Sequence, residues 1–145
     1  MLQFNVERIG EGDPSGFDLG EMSFRSNGRC ISSKSDGRLR MMIYLSMVGL
    51  IDSLLVLGKK RNVNFVAVDS SFSVVFRVSG GGVYIESAGE RMGPFSSVEL
   101  LRSIWDGIVG FVNGGGELDE EDSVFGDLNG AIDDLRGEIE RLQKS

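Results

Sequence analysis

Between Met41 and Leu57 the chain reads MMIYLSMVGLIDSLLVL, a run in which Asp52 is the only charge. A segment like this either crosses a membrane or has to be covered by the rest of its chain. Its length lies at the short end for a span, and a carboxylate well inside it is costly in hydrocarbon. Small polar residues also interrupt the apolar ones. The pattern predicts a core helix that sheet and other helices must cover, starting from about Asp36 as cap and ending near Gly58. Lys59, Lys60 and Arg61 then suit the negative end of its dipole.

The flanking segments supply that cover. Residues 2–9 alternate Leu2, Phe4 and Val6 with Gln3, Asn5 and Glu7, the period of a half-buried strand. Residues 20–26 repeat it with Met22 and Phe24. Asn27-Gly28 then predicts a type I′ hairpin into a short third strand, Cys30 to Ser33. Beyond the helix, Asn64–Val68, Phe72–Val78 and Val83–Ser87 have strand composition, with turns at Asp69-Ser70-Ser71 and Ser79-Gly80-Gly81-Gly82. Gly89 to Pro94 is expected to stop the sheet. Ser96 and Glu99 form a capping arrangement for a helix through LLRSIWDGIVGFV, which Gly114-Gly115-Gly116 ends. Leu128, Ile132, Leu135, Ile139 and Leu142 recur at spacings of four and three, predicting a last, acidic helix at about 119–143 packed on the preceding one.

The order ββ(β)-α-βββ-α-α predicts one α+β domain over residues 1–145. It is expected to be a two-layer sandwich, with an antiparallel sheet of about five or six strands and helices on one face.

Function is narrowed mainly by what is missing. The 145 residues contain no histidine and a single cysteine, Cys30. That excludes Ser-His-Asp and Cys-His catalytic pairs, His-ligated metals, intrachain disulfides and thiolate clusters. No S-x-x-K or GxSxG surrounds Ser70 and Ser71, and neither glycine triplet has phosphate-loop spacing. Asp52, Asp69 and Asp106 are the remaining catalytic carboxylates of any weight, and a two-layer domain this small seldom builds the cleft they would need. The expectation is no enzyme, no cofactor and no metal site. No basic region followed by an apolar one opens the sequence, so no secretory signal and a cytoplasmic location are expected.

Charge points to a partner. Residues 1–116 hold twelve acids and twelve bases, so the net charge of −7 belongs entirely to residues 117–145, with ten acids and three bases. The bland reading is a solvated helix. The sharper one is a face that steers and holds a basic protein, through Glu117, Asp119, Glu120, Glu121 and Asp122, then Asp127, Asp133 and Asp134. Small acidic domains without catalytic groups include the bacterial immunity proteins, which neutralise a basic toxin or effector by occluding its active site. The likeness is one of size and charge, and no motif carries it. The alternatives are a dimeric secretion or effector chaperone using the Leu128–Leu142 seam, and a small enzyme or ligand-binding domain with a pocket near Asp52, Asp69 or Arg77. Nucleic acid is disfavoured: the basic clusters at 25–40 and 59–61 lack interleaved aromatics. No membrane partner is expected, and the chain is read as a monomer or homodimer.

Overall fold

A computed structural model describes residues 1–144. The strands are β1 (Gln3–Arg8), β2 (Leu19–Ser26), β3 (Arg29–Ser32), β4 (Met41–Met42), β5 (Asn62–Val66), β6 (Ser73–Ser79), β7 (Gly82–Ser87) and β8 (Glu90–Phe95). The helices are α1 (Ile43–Leu55), α2 (Ser97–Phe111) and α3 (Phe125–Gln143). All pairings are antiparallel, and the two-layer α+β class is as expected from the sequence. Among the described residues, however, the strands number eight, and they divide between two four-stranded sheets. One sheet runs β1-β2-β3 with β4 also on β2, and the other runs β5-β6-β7-β8.

The sheets meet where Met42 N–H donates to the Val68 carbonyl at 3.0 Å and Ser70 Oγ donates to the Leu39 carbonyl at 2.9 Å. Phe24 of one sheet lies edge-on to Phe76 of the other, their centroids 6.3 Å apart. Both sheets and all three helices contribute to a single hydrophobic cluster. In it α1 packs on β2 and β5, α2 packs on β1, and α3 covers α1 and α2. Burial of α1 is complete at Ile43, Tyr44, Met47, Leu50 and Ile51, as its apolar composition requires. Asp52 faces solvent.

Three local expectations are corrected. The segment from Asp36 is not yet α-helix: Asp36 caps a 3-10 turn at Gly37–Leu39, and α1 starts only at Ile43. The cause is tertiary, because the amides of Met42 and Ile43 bond to Val68 and Asp18 carbonyls. At its other end α1 stops at Leu55 with Val56 as cap, so Gly58 lies beyond it. Finally, Glu90–Phe95 continues the sheet as β8 rather than stopping it. Ala88 and Gly89, both at positive φ, make the turn that leads into it. Pro94 is tolerated because β8 closes its sheet's strand order.

Candidate functional site

The acidic run does not begin a helix. Asp119 Oδ1 accepts from Glu121 N–H and Asp122 Oδ1 from Val124 N–H, both at 2.9 Å. These side-chain turns compete with helical bonding, so Glu117, Asp119, Glu120, Glu121 and Asp122 form a loop and α3 starts at Phe125. The wide turn Val112–Gly116, with Gly115 at φ +110°, delivers the chain into that loop. Tyr44 fixes the junction from below by donating its hydroxyl to the Gly116 carbonyl at 2.6 Å.

Asp122 also reaches across the molecule. Its Oδ2 accepts from Gly16 N–H at 2.9 Å, tying the acidic loop to the loop at 9–18. That second loop is held internally by Arg8, which donates to Asp18 Oδ2 at 3.1 Å and to the Gly12 carbonyl at 2.7 Å. Gly16 is buried against Asp122 and Val124, and a Cβ there would lie 2.5 Å from both side chains. The next residue, Phe17, is turned out to solvent with 62% of its surface exposed, and Leu19 follows at 43%. Phe17 is the only aromatic side chain exposed among the described residues.

Both loops joined by the Gly16–Asp122 bond carry acids. Glu11 and Asp13 on one, and Glu117, Asp119, Glu120 and Glu121 on the other, are exposed and have no ion-pair partner among the described residues. The sequence placed the acidity wholly in residues 117–145 and missed Glu11 and Asp13. It also missed Phe17, which lies in a breaker-rich loop without periodicity. Of the residues singled out on α3, Asp127 and Asp134 share one exposed stripe and are unpaired, while Asp133 meets Arg136 at 3.5 Å. Asp122 is structural, since its two oxygens are taken by backbone amides.

The other candidates separate. Lys34, Arg38 and Arg40 meet Glu7, Asp36 and Glu21, so much of the early basic cluster is neutralised locally. The Arg38 guanidinium holds the Asp36 carboxyl below its ordinary pKa. Ser70 is a turn residue that accepts from Phe72 N–H. Cys30 is exposed and lines a 480 Å³ cleft with Leu39, Phe72 and several serines. Asp106 lines a 620 Å³ groove between β1 and α2, beside Glu99 and Arg102, while Asp52 and Asp69 are exposed on α1 and at the β5–β6 turn. The Leu128–Leu142 seam is turned inward, with Leu128, Leu135 and Ile139 buried in the core cluster.

Among the described residues no group of three or more His, Cys, Asp or Glu is placed to hold a metal ion. No helix among the described residues is long and apolar enough to cross a membrane. Compared with family models, curated proteins and solved structures, the chain matches none of them.

Proposed function

We propose that this protein is a non-catalytic binding module that docks a basic protein through the acidic end centred on Phe17. The observation that carries the reading is the Gly16–Asp122 hydrogen bond, which joins the loop of the exposed Phe17 to a loop whose other carboxylates have no ion-pair partner among the described residues. A central aromatic anchor surrounded by charge is the usual build of an interface hot spot: burial supplies affinity, and the charges supply approach rate and choice of partner. The chain also lacks histidine for acid–base work. The specific form of the proposal is an inhibitor of the immunity type, whose basic toxin or effector is held with its active site covered.

The test is to isolate the partner with the tagged wild-type chain and then challenge it with two variants. One is Phe17→Ala, and the other is Glu117→Lys combined with Glu120→Lys and Glu121→Lys. The proposal expects a basic protein that both variants lose. A partner retained equally by both variants refutes it.

A further inference from the structure

Open sheet edges present unpaired N–H and C=O groups, and folded chains cover or pair them. Here α2 covers the β1 edge: Leu2 N–H donates to Glu99 Oε2 at 3.3 Å, and Gly107 sits directly on the Phe4 carbonyl. The β3 edge faces the β8 end of the other sheet, where Arg29 meets Glu90 at 3.8 Å. Met42 bonds β4 to Val68. The edge left over is β5.

The register shows which groups it offers. Ala67 N–H donates to the Phe72 carbonyl and Val78 N–H to the Arg61 carbonyl, so odd-numbered residues of this strand bond to β6. By the alternation of an antiparallel ladder, Asn62, Asn64 and Val66 aim their N–H and C=O groups away from the sheet. No other segment among the described residues pairs with them. All three side chains are exposed, Val66 at 56%, and the strand contains no proline or charge of its own.

The flanking charges select the occupant. Lys59, Lys60 and Arg61 precede the strand and Asp69 follows it, all exposed and all without an ion-pair partner among the described residues. We infer that β5 pairs antiparallel with β5 of a second copy, about a two-fold axis at Asn64, joining two sheets into one. Asn64 then faces its own copy and Asn62 faces Val66 of the partner subunit; the ladder ends there, because the outward groups of Val68 are taken by Met42 and Ser46, and the basic run before each strand lies toward the Asp69 end of the other. The two basic runs fall at opposite ends of the ladder, roughly 26 Å apart along the strands. That exceeds the screening length of about 8 Å at physiological salt. Parallel pairing would instead lay the basic runs side by side, which is why the antiparallel arrangement is chosen. The interface is remote in sequence from the Leu128–Leu142 seam and independent of the acidic end.

Cross-linking reads the register directly. In the Cys30→Ser chain, Asn64→Cys is compared with Asn62→Cys under mild oxidation. Facing residues in such a pair have Cα atoms about 5.5 Å apart, within disulfide reach, whereas the two copies of residue 62 lie roughly 13 Å apart. Asn64→Cys is expected to give a covalent dimer and Asn62→Cys none. Sedimentation of the wild-type chain from micromolar to millimolar concentration is expected to show a dimer. Asn64→Pro removes one outward N–H while leaving the β6 ladder intact, and it is expected to give a monomer with unchanged circular dichroism. A wild-type monomer across the range, equal cross-linking by both cysteines, or a dimer indifferent to Asn64→Pro overturns the inference. If Asn64→Pro does not fold, the cysteine pair decides alone.

Discussion

Tyr44 on α1 donates its hydroxyl to the carbonyl of Gly116, 72 residues further along, at 2.6 Å. The ring is fully buried and lies 5.7 Å from that of Phe111. This bond sets where the acidic loop leaves the core. Tyr44→Phe keeps the packing and leaves the buried Gly116 carbonyl without its donor. A loss of about 1–3 kcal/mol is expected in urea unfolding followed by the fluorescence of Trp105.

The same group makes stability depend on alkaline pH. Burial pushes the Tyr44 phenol up to about 12 from its ordinary value of 10.0. The folded state therefore favours the protonated phenol. Its contribution is fully present below pH 10 and is lost as pH rises from there through about 12. Wild-type stability should fall more steeply across that window than that of Tyr44→Phe, as equilibrium unfolding at a series of pH values will show. Parallel curves would mean the phenol is not held neutral by the fold.

Asp122 and its neighbours in the acidic run should behave differently. Asp122→Ala strands the amides of Gly16 and Val124 and is expected to cost about 1–3 kcal/mol. Glu120→Ala and Glu121→Ala remove exposed, unpaired groups and should stay within about 0.5 kcal/mol. Denaturant midpoints of the three variants check this directly.

Two glycines of α2 should respond to alanine with opposite sign. A Cβ at Gly107 meets the Phe4 carbonyl, while one at Gly110 meets nothing within 4 Å. Gly107→Ala is expected to destabilise by about 1–3 kcal/mol through forced separation of α2 from β1. Gly110→Ala should stabilise by about 0.5–1 kcal/mol, the ordinary helix preference for alanine. Thermal melts of the pair give the comparison.

The elements that could be read from the sequence are those whose signals are local. Leu2, Phe4 and Val6 alternate because one face of β1 is buried, and Asn27-Gly28 turns because both residues take positive φ. Ser96 does cap α2, accepting from Glu99 N–H at 3.1 Å. What escaped depends on distant partners. The segment at 36–42 has helical composition, but its last amides bond to the sheet instead. Gly93 and Pro94 look like breakers, yet the β8 ladder accommodates them. At the candidate site the acids were legible as charge, but their arrangement was not. Gly16 and Asp122 are 106 residues apart, and it is their hydrogen bond that ties the loop of Phe17 to the acidic loop.

The most direct measurement is a titration of the wild-type chain and Phe17→Ala against the captured basic partner, at low and at physiological salt. Phe17→Ala is expected to weaken binding about 10-fold or more, the loss expected of a central anchor. Added salt is expected to weaken the wild-type complex by screening the carboxylates at positions 11, 13, 117, 119, 120 and 121. Affinity unchanged by the substitution and indifferent to salt would contradict it.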